Sequence, residues 1–295
     1  DQGFLKRFAG HPLDWMFTGF GSAWVSDSMT YKVVPGCAYV DGAVDCLYEV
    51  KEGFREKQGR ELEPSDVKNI RVWGSVLTIG MEALCSLYCS REEPTTIGVN
   101  FSVPMSLAVT ILAGELVPEA ISGWFLSSKK REISELASRI TLEHDPELDR
   151  TLGGLGQIGV DMSAAIAGVD PSSLGRLVRQ GRGRSGPRGT SSDRVIPDLS
   201  KVSFEGFKMQ IPARLILETA AGDEFSAEVA IPRGAAGRPI DDTEASVRAK
   251  FMRNAGLILG EEQAASAWDV IMGLEAMPSV EELVRAFVRQ DSKRR

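Results

Sequence analysis

One short stretch concentrates the residues best suited to chemistry. It reads Tyr31-Lys32-Val33-Val34-Pro35-Gly36-Cys37-Ala38-Tyr39-Val40-Asp41 and stands just ahead of a segment with helical apolar spacing. Helix starts attract anions through their unpaired amides and dipole, and a nearby ammonium adds to this. Taken alone, a lysine such as Lys32 is more often a solvated surface residue. Other candidates are weaker. Gly154-Leu155-Gly156-Gln157-Ile158-Gly159 matches the dinucleotide pattern G-x-G-x-x-G, but no strand precedes it and no acid follows at the expected distance. Cys85 and Cys89 are spaced one helical turn apart and could share a metal. Cys37 and Cys46 lack the paired spacing of a four-thiolate site, which favours small buried thiols instead. His11 and His144 have no nucleophile in a recognisable motif and read as structural.

The elements that must position these residues follow from periodicity. Val40, Ala43, Val44, Leu47 and Val50 share one face of a helix running to about Arg55, ended by Gly59. Pro64-Ser65-Asp66 is a turn, and the β-branched run Val67 to Ile79 predicts a strand. Phe101 to Ala113 reads as a buried helix. Pro118 opens another helix, Ser128 to Ala137 forms a third, and Arg139 to Glu143 forms a short strand. Ala213 to Thr219 and Phe225 to Ile231 alternate around Gly222-Asp223, the pattern of a β-hairpin closed by Pro232-Arg233-Gly234. Asp241-Asp242-Thr243 caps the first of three helices, at about 243–257, 261–274 and 279–290. A short helix is expected around Phe4–Phe8.

Composition narrows the class. Of 295 residues, 43% are apolar and 25% charged, the balance of a globular protein. There are 34 basic and 41 acidic residues, a net charge of −7, which argues against nucleic acid as main partner. No apolar run reaches membrane-spanning length. Four cysteines do not make a disulfide framework, which fits the reducing cytoplasm. The start, Asp1-Gln2-Gly3-Phe4, has no initiator Met and no signal core, so a trimmed chain or a piece of a longer one is expected. Residues 150–208 are rich in Gly, Ser and Arg and read as a flexible insertion. Its arginines could grip an anion or a partner, although a solvated loop suits the composition better.

Three stretches together resemble the MmgE/PrpD family, whose members include 2-methylcitrate dehydratase, cis-aconitate decarboxylase and iminodisuccinate epimerase. The first is Gly3-Phe4-Leu5 with Tyr31-Lys32-Val33-Val34-Pro35-Gly36-Cys37, similar to the family's Lys-x-x-Pro-x-Cys/His loop. The second is Asn100-Phe101-Ser102-Val103-Pro104-Met105 through Leu112-Ala113-Gly114, with Asp145-Pro146-Glu147-Leu148 beyond. The third runs from Ala213-to-Thr219 through Gly222-Asp223, Pro232-Arg233-Gly234 and Lys250-Phe251 into the closing helices. The resemblance spans most of the chain outside 150–208.

This resemblance implies an α+β fold: a small antiparallel sheet domain with helices, followed by C-terminal helices that belong to a helical domain. Residues 1–40 would form a loop-rich segment with an active-site loop, 41–231 the α+β domain with its insertion, and 232–295 a helical segment packing on a helical domain. In the family that helical domain is mostly N-terminal. Here it is largely absent, so a homo-oligomer or a heteromer with a chain supplying that half is expected. The implied chemistry is cofactor-free and metal-free: dehydration, decarboxylation or epimerisation beside a carboxylate of a small carboxylic acid. Lys32 would stabilise developing negative charge. Cys37 would be a proton carrier or a wall residue, and Asp41 stands where the family often has His. Tyr31, Ser102 and Met105 would bind substrate, with Met105 replacing a phenol and unable to donate a hydrogen bond. Asp41 could act as a base, but it repels a carboxylate substrate unless protonated or paired. These departures point to a bulkier or less charged substrate, as in secondary metabolism, or to lost catalysis. The alternatives are an isomerase, epimerase or cyclase, or a non-catalytic subunit of a split heteromer.

Overall fold

The structure is a computed structural model and describes residues 28–86, 89–90, 92–149 and 206–288. Expectations for Phe4–Phe8, His11, the glycine motif at 154–159 and nearly all of the 150–208 insertion lie outside the described residues. The chain divides into two compact units at Gly237/Arg238.

In the first unit, helix α1 spans Ala38–Gln58. Its start is the extended Cys37. Its end is Gly59, whose φ of 70° lets the amide fold back onto the Arg55 carbonyl at 2.8 Å. Val40, Ala43, Val44, Leu47, Val50 and Phe54 are buried along it, as the spacing predicts. Strand β1, Val67–Gly74, follows a 3-10 turn at Pro64–Asp66. A register shift between Val67 and Asn69 puts Val67 and Ile70, three residues apart, on the same buried side.

The strand expected to reach Ile79 stops at Gly74, and α2 occupies Val76–Cys85. The Ser75 hydroxyl accepts the Thr78 amide and caps that helix, a local gain that outweighs the β preference of Val76, Thr78 and Ile79. Short α3, Thr96–Asn100, leads into α4, Val103–Ala113, which is buried from Val103 to Ile111. Pro118 starts a 3-10 turn rather than a helix, and α5, Gly123–Ser128, precedes α6, Lys130–Ala137. Strand β2 is Ile140–His144 and is followed by the single turn α7, Pro146–Asp149. The hairpin is β3, Ala213–Thr219, with β4, Glu224–Val229.

The four strands run in the order β2-β1-β3-β4. The β1–β3 and β3–β4 pairings are antiparallel, but β1 and β2 are parallel, so the sheet is mixed rather than purely antiparallel. The physical reason is the helical crossover α2–α6 between them, which returns the chain in the same direction. Helices plus this small sheet make an α+β fold. α1 packs across β3 and β4, and Leu215, Leu217, Ile70 and Val72 close the core beneath it.

The second unit holds α8, Ile240–Leu259, α9, Glu261–Met272, and α10, Glu281–Ala286. The first helix begins earlier than expected. Pro239 is its cap residue and Asp241 and Asp242 sit inside its first turn. Phe251 packs on Trp268 at 5.5 Å and on Phe287 at 6.4 Å. Leu257, Ile258, Met272, Val280 and Val284 are exposed. No helix among the described residues is long and apolar enough to cross a membrane.

Two helical glycines separate propensity from packing. A Cβ on Gly42 would stand 2.5 Å from the Ile211 carbonyl oxygen, whereas one on Gly53 would meet only Phe225, at 3.8 Å. Gly42→Ala should therefore destabilise by about 1–3 kcal/mol despite better helix propensity, and Gly53→Ala should stabilise by about 0.5–1 kcal/mol. Denaturant midpoints check both, and equal shifts of the same sign would contradict the close approach of α1 to residue 211.

Candidate functional site

The loop before α1 is fixed at both ends by backbone bonds. The Tyr31 amide donates to the Gly234 carbonyl and the Cys37 amide donates to the Asn100 carbonyl, both at 2.8 Å. Val34 is buried between these anchors. Gly36 turns the chain with φ of 118°, a conformation that strains residues with a side chain. The loop thus delivers Lys32 to the first turn of α1, where its ammonium donates to Asp41 Oδ1.

The partners differ in environment. The Asp41 side chain is 6% exposed and that of Lys32 34%. Burial pushes the Asp41 carboxyl up to about 6, well above the ordinary carboxylate range. The Lys32 ammonium opposes that rise by charge and hydrogen bond, the Asp45 carboxylate adds to it, and Arg233 opposes it. Asp41 can therefore hold or release a proton close to neutrality while touching a cation.

Asp45 lies one turn along α1 and is also buried. It accepts two bonds from Arg233, from Nε at 2.8 Å and from the backbone amide at 2.6 Å. The Arg233 guanidinium lies over the Tyr48 ring at 4.7 Å, and the Tyr48 hydroxyl accepts the Leu116 amide at 2.9 Å. From sequence, Arg233 is named only within the Pro232-Arg233-Gly234 turn and Asp45 not at all, and neither is given a role in the site. The available signal was a pair of acids at i and i+4, Asp41 and Asp45, flanked by the apolar positions of the buried helix face.

The expected site residues separate into two groups. Lys32 and Asp41 come together, and Cys37 caps the helix on which Asp41 sits, without a side-chain cap bond. Tyr31 is tied by its backbone amide, while the residue as a whole is 47% exposed. Ser102 and Met105 do not present a binding surface. The Ser102 hydroxyl donates to Glu82 Oε1 at 2.9 Å and caps α4, and Met105 is 1% exposed within the core. Their position at the cap and in the first turn of a helix buried from Val103 to Ile111 commits both to packing. Glu82 completes that cap by accepting the Val103 amide at 2.7 Å.

The thiols sort similarly. All four cysteines are free. Burial pushes the Cys46 thiol up to about 12, and it donates to the Ala213 carbonyl, so it is a packing residue. Cys85 ends α2 and Cys89 lies beyond it, so the two do not share a helical turn. Among the described residues, no group of three or more His, Cys, Asp or Glu side chains is placed to hold a metal ion. His144 pairs with Asp149 at 2.8 Å, and Asp149 also accepts the Val76 amide at 2.7 Å, joining β2 to the start of α2.

No protein-family model matches the chain, and no curated protein does.

The raised Asp41 carboxyl has a stability signature. Its ordinary value is 3.8 and its folded value about 6, so the folded state binds the extra proton between them. Stability from this group is full below about pH 4 and is lost as pH rises through about 6, a change of about 3 kcal/mol. Asp41→Asn should gain stability relative to the parent chain across that window. Denaturation curves at a series of pH values test this, and parallel pH profiles would contradict it.

Proposed function

We propose that the chain is a cofactor-free lyase of the MmgE/PrpD type, a dehydratase or decarboxylase acting beside a carboxylate of a small or natural-product carboxylic acid. The observation that carries this reading is an ammonium held against a buried carboxyl at a helix start. Loss of a proton or of CO₂ next to a carboxylate places negative charge on the substrate. Lys32 meets that charge with a donor already aimed and partly removed from water, where electrostatic stabilisation is strongest.

Asp41 orients the ammonium by accepting its hydrogen bond. An incoming substrate anion raises its proton affinity further, and a proton taken up by Asp41 removes the repulsion and frees Lys32 for the substrate. Cys37, at the helix start, would be a proton carrier or a wall residue.

A second reading is a supporting subunit of a split assembly. The exposed Leu257, Ile258, Val280 and Val284 favour a partner, since apolar stripes on helices call for burial. A chain providing a helical half, or a second copy of this one, would then cover these helices.

Turnover of a panel of di- and tricarboxylic acids, including 2-methylcitrate and cis-aconitate, separates the readings. It is measured on the chain alone and with any co-purifying partner. Lys32→Ala should lose at least about a hundredfold in turnover if the ammonium supports the transition state. Unchanged turnover would reject that role.

A further inference from the structure

Two buried carboxylates on successive turns of one helix repel each other unless each has its own cation. Asp45 is matched by Arg233, and Asp41 by Lys32. The two cations come from segments far apart in sequence, yet those segments touch. Gly234 accepts the Tyr31 amide at 2.8 Å, and the Ala236 amide reaches the Thr30 hydroxyl at 3.4 Å. The approach is so close that a Cβ on Gly234 would stand 2.2 Å from the Tyr31 carbonyl oxygen. The turn carrying Arg233 is thus fastened to α1 on one side and to the Lys32 segment on the other.

We propose that Arg233 is a positioning residue for the Lys32–Asp41 pair: by gripping Asp45, the 232–234 turn clamps the Lys32 segment onto the face of α1 that carries Asp41. This rests on the reading of that pair as the functional site. The grip is specific to arginine. It uses a side-chain Nε donor aligned with the residue's own backbone amide, and a planar cation stacked on the Tyr48 ring. A lysine there would keep the charge but neither the fork nor the planar stack. The charged groups acting on Asp41 are Lys32 from the preceding loop, Asp45 from its own helix and Arg233 from the turn.

The test uses the full chain without substrate. The Asp41 carboxyl is titrated by carbon NMR, and exchange of the Tyr31 amide is followed in the parent, Arg233→Ala and Arg233→Lys. Core amides such as Leu215 report that each variant is folded. Both variants should speed Tyr31 exchange by about tenfold or more and move the Asp41 midpoint upward by about one pH unit, as Lys32 leaves its partner. Added methylguanidinium should reverse part of the change in Arg233→Ala and none in Arg233→Lys. A parent-like midpoint and exchange rate in Arg233→Lys would overturn positioning and leave only a charge effect. Should Arg233→Ala not fold, Arg233→Lys decides alone. No turnover of any acid by the parent chain would reject the lyase reading, and turnover that ignores Lys32→Ala would reject the role of Lys32 in it; neither alters these titrations, so the failures are distinguishable.

Discussion

A carboxylate buried against a protein core must carry a proton or meet a cation, and α1 presents two such groups one turn apart. Much of the first unit answers that requirement. The loop before the helix brings Lys32 to Asp41, and the turn after β4 brings Arg233 to Asp45. Both segments lie at the same end of α1, where the apolar row of Val40, Val44 and Leu47 fixes how deep the acids sit. The sheet anchors the other flank, with Gly42 allowing the helix to approach residues 211–213 more closely than any side chain would permit.

This arrangement combines two properties that seldom coexist on a surface. The ammonium of Lys32 remains partly accessible, while its partner is nearly enclosed and titrates close to neutrality. An exposed ion pair would be screened and weakly oriented. A fully buried one would have no access to substrate. The intermediate case suits a group that must be held ready and then released to an anion. Polar groups elsewhere in the unit serve other ends: Glu82 and Ser102 cap the start of α4, and His144 with Asp149 ties β2 to α2.

The α+β character was legible because α1 and the β3–β4 hairpin have clean periodicities of 3.6 and 2. The parallel β1–β2 pairing was not, because pairing direction depends on the whole connection between strands rather than on either strand. The end of β1 was missed for a local reason: a serine cap at position 75 overrides β-branched residues that follow. Within the site, the loop motif pointed to Lys32 and Asp41, and the fold joins them. Ser102 and Met105 are buried at the start of α4, and a motif in sequence does not reveal whether a helix start faces a cleft or a core. The Arg233 turn was legible but its pairing with Asp45 was not, since the partners lie 188 residues apart.

The central claim is that Lys32 and Asp41 act as a coupled pair rather than as neighbours. A double-mutant cycle of Lys32→Met and Asp41→Asn, read from unfolding free energies at about pH 8, measures this directly. The account predicts a favourable coupling above about 1 kcal/mol, the scale of a charge-assisted hydrogen bond with one partner buried. Effects that add within about 0.5 kcal/mol would contradict it.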